Sequence, residues 1–465
     1  MEWRNRPRTN PTDRRPPPLM FPTFHIRTYG CQMNERDSEA AACLLESRGF
    51  RPVATEAEAD VLLFNTCSVR DQAEQKALGK LGLLQRLKRE KPHLLLVVLG
   101  CMAQRLGEEL PAKIPHVDLV VGTDQLPSLP DRLIELLEHR RPGVYTGRTS
   151  EGIEMLGLHA PGKISAFVAV MRGCNMGCSY CIVPETRGRE KSRAVADIVA
   201  EVARLVAGGA KEIMLLGQNV TAYGVSELRQ AGGYTPDQSP FAELLRAVCA
   251  VPGLRRLRFT SPHPHFMNAA FVQALAELPQ VCDSFHVPLQ SGADRILAAM
   301  KRNYTVAEYR QRLAAIRAVR PAAAFSTDII VGFPGETDAD FAATRELMAE
   351  IGFDMAYVFR YSPRPGTLAD RRLADTVPPE VKEARLKLLL ADLERRVLAH
   401  NQARLGQTVE IMLEGPSPRN PSRWCGRTSD NKRVVVPPAP EMEPGQFRSF
   451  RITRATAHTL YGEPA

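Results

Sequence analysis

The sequence has no run of roughly eighteen or more apolar residues, which excludes a helix crossing a bilayer. Its ten cysteines are too sparse among 465 residues for a disulfide scaffold. A secretory hydrophobic segment is also missing. Residues 1–21 are basic and proline-rich, and read as a disordered tail. A reducing cytoplasm is therefore the expected location, where clustered cysteines more often bind metal than pair. No internal repeat of fixed period occurs, which argues against solenoid and propeller folds. Acidic residues are the minority, 52 Asp+Glu against 61 Lys+Arg, for a net charge of +9. Such an excess suits a polyanionic partner, nucleic acid being the usual one, and equally a solvated basic surface.

What is present is concentrated in one stretch. Cys174, Cys178 and Cys181 are spaced Cys-x3-Cys-x2-Cys, just after the apolar run Ala166–Val170, which reads as a strand. Three thiolates on one short loop can wrap a single metal centre but cannot complete an ordinary four-thiolate iron–sulfur cube. A site with three protein ligands keeps a position open for chemistry. A zinc loop would instead pair its cysteines in two separate hooks.

Ahead of this loop, apolar runs at Phe24–Ile26, Val61–Phe64, Leu94–Leu99 and Val117–Val121 alternate with helix-like segments. That pattern predicts a parallel α/β sheet covered on both faces over residues 22–145. Three of the runs end in cysteine: Cys31, Cys67 and Cys101, spaced 36 and 34 positions apart, about one strand–helix unit each. Ligands collect beyond the carboxyl ends of parallel strands, so these thiols are expected to converge as a second three-thiolate cluster site. Cys43 reads as a core residue, and residues 141–160 as a linker.

Residues 160–400 carry five further strand-like runs: Glu212–Leu216, Arg256–Phe259, Ser284–Pro288, Asp328–Val331 and Asp354–Phe359. Six βα units predict an incomplete TIM-like barrel with its chemistry at the carboxyl ends of the strands. Polar segments follow those ends: Gly217-Gln218-Asn219, Thr260–Pro264, Gln290-Ser291-Gly292 and Gly332–Glu336. They are candidates for holding a small cofactor, the glycines allowing close backbone approach. His263 and His286 read more simply as structural histidines, and Cys249 and Cys282 as packing residues. Arg187, Arg189 and Arg193, beside the cysteine loop, are candidates for gripping RNA phosphates, or form a solvated helix face. From residue 401 onward, alternating strands with nine Lys/Arg and six Asp/Glu predict a small basic β-barrel, either RNA-binding or a plain cap.

With these parts placed, residues Phe24 to Gly462 resemble the radical S-adenosylmethionine (SAM) methylthiotransferases. In that family Cys174, Cys178 and Cys181 match the ligands of a SAM-binding [4Fe-4S] cluster, and Cys31, Cys67 and Cys101 those of an auxiliary [4Fe-4S] cluster. Residues 404–463 match its TRAM domain, an RNA-binding barrel. Thr28–Asn34, Asn65–Arg70, Gly217–Gly224 and Tyr361–Thr367 look like the branch acting on tRNA. The sister branch, acting on a ribosomal protein, has Gly-Cys-Pro-Lys-Asn where this chain has Gly30-Cys31-Gln32-Met33-Asn34. The basic tail and the spacers Asn175-Met176-Gly177 depart from the family pattern.

The resemblance implies methylthio transfer to carbon 2 of N(6)-isopentenyl adenosine beside the anticodon. SAM would serve both as methyl donor and as source of a 5′-deoxyadenosyl radical. It also implies SAM contacts at Tyr180, Gln218, Asn219, Gly332 and Glu336, and an electron donor such as flavodoxin or ferredoxin. Two alternatives stand beside it. One is the same chemistry on threonylcarbamoyl-adenosine in tRNA or on a ribosomal protein. The other is a non-catalytic iron–sulfur RNA-binding or scaffold protein.

Overall fold

The computed structural model describes residues 22–68, 71–149 and 152–465. The expected basic tail, and Val69 and Arg70 of one motif, lie outside them. The first unit is a six-stranded, wholly parallel sheet. Its order is Arg51–Pro52, Thr23–Tyr29, Val61–Thr66, Leu95–Gly100, Leu119–Val121, Gly143–Tyr145. Separate apolar cores cover its two faces, which is why Val61–Thr66 and Leu95–Gly100 are buried at every position. The short edge strands at 51–52 and 143–145 carry no apolar run and are not evident in the sequence. The second corrects the expectation of a linker from residue 141: Gly143–Tyr145 pairs with Leu119–Val121.

The second unit has six parallel strands: Ser165–Ala169, Glu212–Leu216, Arg256–Phe259, Ser284–His286, Ala324–Val331 and Met355–Arg360. They form two three-stranded sheets, joined by a parallel bridge between Leu257 and Val281. This is the expected partial (βα)6 barrel, open between its last strand and its first. Alternate side chains face opposite ways. Val168, Leu215, Phe259, Phe285, Phe325 and Ile329 pack outward under the helices. Phe167, Met214, His286, Asp328 and Tyr357 face the lumen on the other side of the pleat.

Helix Pro379–Gln402 leads to a closed five-stranded barrel built from Thr408–Ser417, Asn420–Arg427, Arg433–Val436, Phe447–Ala455 and Leu460–Pro464. It packs beneath the larger barrel at the amino ends of the strands. Arg258 donates to the carbonyls of Thr428 and Ser429 at 2.9 and 2.8 Å, and Arg256 to that of Arg427 at 2.7 Å. Ser429 also bonds Asp283 at 3.0 Å. The lumen is thus floored at one end and open at the other. No helix among the described residues is long and apolar enough to cross a membrane.

Candidate active site

Register brings the first cysteine group together. Tyr29 pairs with Thr66 and Thr66 with Gly100, so three neighbouring strands end level. Cys67 and Cys101 come one residue later, and Cys31 two, capping helix Gln32–Ser47. Gly100, at φ +88°, makes the turn into its helix; a Cβ there would lie 2.3 Å from Asn65 Oδ1. Below the thiols, Asn34 donates to Asn65 Oδ1 at 3.0 Å, and Asn65 returns a bond to the Asn34 carbonyl at 2.9 Å. This buried amide pair fixes two of the three strand ends relative to each other.

The thiols are electrostatically linked. A hydrogen bond from Cys67 and the charge of Arg187 lower Cys31 to about 5 against the penalty of burial, while burial pushes Cys101 up. Arg187 is the correction to the expected RNA grip. It is buried and donates to Asp37 at 2.5 Å, so a side chain of the barrel unit is anchored in the first unit beside Cys31 and Cys101. Arg193 is likewise committed inside the protein, to Glu201 at 2.6 Å and the Ala169 carbonyl at 2.8 Å. Of the three arginines, Arg189 alone is exposed.

The second group follows strand Ser165–Ala169. Its loop is pinned by Ser179, which accepts the Ala369 amide at 2.6 Å and donates to the Ala299 and Met300 carbonyls. Gly173, at φ +72°, has no room for a side chain: a Cβ would meet the Arg189 carbonyl at 2.1 Å. Burial pushes Cys174 and Cys181 up to about 12. Buried thiolates need compensating positive charge, which iron provides and which reverses this preference for the protonated form. Arg302 supplies part of it, donating to Cys178 Sγ at 3.4 Å. Sequence reasoning missed Arg302. Its signal was a lone Lys301-Arg302 pair after a helix, with Lys301 at φ +55°.

No three His, Cys, Asp or Glu side chains among the described residues converge on a single-ion site.

Beyond the loop lies a set of orphaned polar atoms. Gln218 Oε1, Asn219 Nδ2 and His263 Nε2 are buried and bond to nothing in the protein. His263 Nδ1 accepts from the His265 amide at 3.3 Å, and burial holds the ring well below its ordinary range, so it is neutral with its proton on Nε2. These buried atoms therefore offer one acceptor and two donors at the ends of adjacent strands. Those are complements for the ammonium, carboxylate and hydroxyl groups of SAM. His263, expected to be structural, belongs to this set.

Tyr180 is half-buried, edge-on to Phe333 with ring centroids 6.5 Å apart, and packs against the apolar cluster that Ile330 also joins. Glu336 and Gly332 differ from expectation. The Glu336 carboxylate accepts from the Gly332 amide and from Arg385, each at 2.7 Å, which braces a strand end. Gly332 is needed because a Cβ would lie 2.3 Å from Lys382 Cγ. Cys249 and Cys282 are buried as expected, and Cys43 is half-buried.

Both cysteine groups lie beside side chains of the barrel. Cys31 and Met33 pack on the lumen-facing Phe167, Ala169, Met214 and Leu216. Tyr180, next to Cys181, packs against the cluster of Met300, Phe333 and Tyr361, which Ile330 of the opposite wall also joins.

Comparison with known proteins agrees with this architecture. Residues 23–122 match the uncharacterized protein family UPF0004, 168–348 the radical SAM superfamily, and 402–465 the TRAM domain. The chain is 46% identical over 94% of its length to a tRNA-2-methylthio-N(6)-dimethylallyladenosine synthase of Opitutus terrae, covering 96% of that protein. It is 44% identical to the same-named synthase of Akkermansia muciniphila, over 96% of this chain and 99% of that one. Among solved structures, the radical SAM methyltransferase TsrM from Kitasatospora setae shares the fold. Its TM-score is 0.56 at 14% identity, covering 76% of this chain and 77% of that one. The chain belongs to the tRNA-2-methylthio-N(6)-dimethylallyladenosine synthases of the radical SAM superfamily.

Proposed function

We propose that this protein transfers a methylthio group to carbon 2 of N(6)-isopentenyl adenosine next to the anticodon of tRNA. SAM is used both as methyl donor and as radical source, and the cofactors are [4Fe-4S] clusters. Cys174, Cys178 and Cys181 would hold the SAM-binding cluster, and Cys31, Cys67 and Cys101 the auxiliary one. When bound, the first cluster supplies the electron that cleaves SAM; carbon 2 is neither acidic nor electrophilic enough for acid–base attack.

The observation carrying this reading is the shared lumen. Cys31 packs on one wall and Tyr180, beside Cys181, on the other. A carbon activated from one side can therefore meet sulfur from the other without the substrate leaving. Gln218, Asn219 and His263 orient SAM, and Arg302 balances charge beside Cys178. Arg187 holds the two units in one geometry.

Arg189 and the basic C-terminal barrel face the phosphates. The exposed tip Asn175–Gly177 leaves the cysteine loop approachable by an electron donor such as flavodoxin or ferredoxin. All of this is work for the cytoplasm, where tRNA and reductant are found.

Nucleoside mass spectrometry of tRNA from cells lacking the gene is the test. Loss of the methylthio-isopentenyl nucleoside with accumulation of its unthiolated precursor is expected. Unchanged levels, or loss of a methylthio-threonylcarbamoyl nucleoside instead, would overturn the assignment.

A further inference from the structure

The wall of the lumen facing Phe167 and Met214 carries a polar cluster that none of the parts above uses. Strand register sets His286 opposite Ser326, Ser326 opposite Met355, and Asp328 opposite Tyr357, all on the lumen side of the pleat. His286 Nδ1 lies 3.0 Å from Ser326 Oγ, and its Nε2 lies 3.3 Å from Asp328 Oδ2. The Tyr357 ring stands edge-on to the imidazole, 5.9 Å between centroids.

Three features separate this cluster from a structural polar contact. First, it is open: the His286 and Asp328 side chains are 23% and 27% exposed, and Tyr357 is 39% exposed, on the last strand beside the gap in the barrel. Second, His286 Nε2 reaches one Asp328 oxygen, Oδ2 at 3.3 Å, and a carboxylate with two oxygens can accept further hydrogen bonds. Third, Asp328 is two residues from Ile330 on the same face, and Ile330 packs against the same apolar cluster, with Phe333 and Tyr361, as Tyr180 of the cysteine loop. The cluster is therefore one step deeper in the lumen than the site where SAM is cleaved. Met355, 40% exposed, is the next lumen-facing residue beyond Tyr357 and adds a soft apolar surface.

We propose that His286, Asp328 and Tyr357 form the subsite for the substrate base, a purine whose exocyclic nitrogen bears a hydrogen and an apolar substituent. Unstacked RNA bases are recognised by aromatic faces together with hydrogen bonds to their edges. Tyr357 supplies the ring, the Asp328 carboxylate accepts the exocyclic N–H, and His286 holds that carboxylate in place. Met355 receives the apolar substituent. This assignment rests on the proposed function for the identity of the base, and on the lumen geometry for its position.

The experiment uses the full-length reconstituted holoenzyme and two synthetic anticodon stem-loops, one with N(6)-isopentenyl adenosine and one with plain adenosine. Asp328→Asn, His286→Gln and Tyr357→Leu are compared with wild type for RNA affinity, SAM affinity, iron content and 5′-deoxyadenosine formed without RNA. The expected result for Asp328→Asn and Tyr357→Leu is at least tenfold weaker binding of the isopentenyl stem-loop, with the other three readouts unchanged. Met355→Ser should shrink the preference for the isopentenyl over the plain stem-loop. Unchanged RNA affinity in both Asp328→Asn and Tyr357→Leu overturns the subsite, as does weakened SAM binding without weakened RNA binding. Wild-type turnover is read separately: failure to methylthiolate the stem-loop would refute the reaction, while the affinity ratios still report on the subsite.

Discussion

Arg187 Nη2 lies 2.5 Å from Asp37 Oδ2, across 150 positions of sequence and across the boundary between two folded units. Neither side chain is more than 3% exposed. Removing one partner leaves the other charge buried and uncompensated, which typically costs about 3–5 kcal/mol. Arg187→Met should therefore lower the unfolding midpoint in urea more than the double replacement with Asp37→Leu does. An additive double mutant would mean that the pair is not energetically coupled.

The two cysteine groups should load independently. Replacing Cys31, Cys67 and Cys101 together with alanine is expected to halve the iron of anaerobically purified protein while 5′-deoxyadenosine formation from SAM persists. Cys174→Ala should abolish that product while the auxiliary cluster's iron remains. Iron and sulfide analysis with product quantification distinguishes these outcomes from a single shared cluster.

Asn219 and His263 are expected to bind SAM through hydrogen bonds that the protein alone leaves unmade. A hydrogen bond to a charged group is worth about 1.5–3 kcal/mol, and each 1.4 kcal/mol is roughly tenfold in affinity. Asn219→Ala should weaken SAM binding by about tenfold or more, measured by equilibrium dialysis, with RNA affinity unchanged. Unchanged SAM affinity would remove this residue from the site.

His159 links the segment before the barrel to both units, with Nε2 2.6 Å from Glu201 and Nδ1 3.6 Å from Glu39. Burial opposes the charged ring, but the two carboxylates outweigh it and raise its pKa above 6.5. Burial likewise opposes the Glu39 carboxylate, yet hydrogen bonds from His159 and Lys163 bring it down to about 2. The His159 contribution is complete below the unfolded value of 6.5 and fades as pH rises through the higher folded value. The Glu39 contribution is complete above its unfolded value of 4.5 and is lost on acidification towards 2. Thermal stability should fall as pH rises above neutrality, and His159→Gln should flatten that limb. An identical pH profile for this variant would exclude the ring as its source.

RNA binding should depend on exposed cations and spare the buried ones. Arg189→Ala and Arg451→Ala, both at exposed positions, are expected to reduce the slope of log affinity against log salt by about one each. Deleting residues 404–465 is a less clean probe, since it strips Arg256 and Arg258 of the carbonyls they bond. Point substitutions leave that floor intact.

The sequence alone determined the six cysteines, the parallel sheet, the partial barrel and the small terminal barrel. Thiol spacing along the chain and apolar periodicity are local properties, and a strand buried on both faces, such as Leu95–Gly100, has no other plausible composition. Side-chain fate was decided only in three dimensions. Arg187 and Arg189 are two positions apart in one basic stretch, yet one is buried against Asp37 and the other meets solvent. Charge type does not encode which of them finds a partner from another unit. Glu336 is engaged by Arg385, 49 positions later, a partner that sequence proximity does not reveal. His263 looked structural until its Nε2 proved unpartnered. The edge strand Gly143–Tyr145 exists because Leu119–Val121 offers it a ladder, and its Val144-Tyr145 pair is too short a run to signal a strand by itself. The placement of the first cysteine group is likewise a tertiary fact: it lies more than seventy positions from the second, and only the packing of Cys31 and Met33 with residues of the first two barrel strands sets it against the barrel.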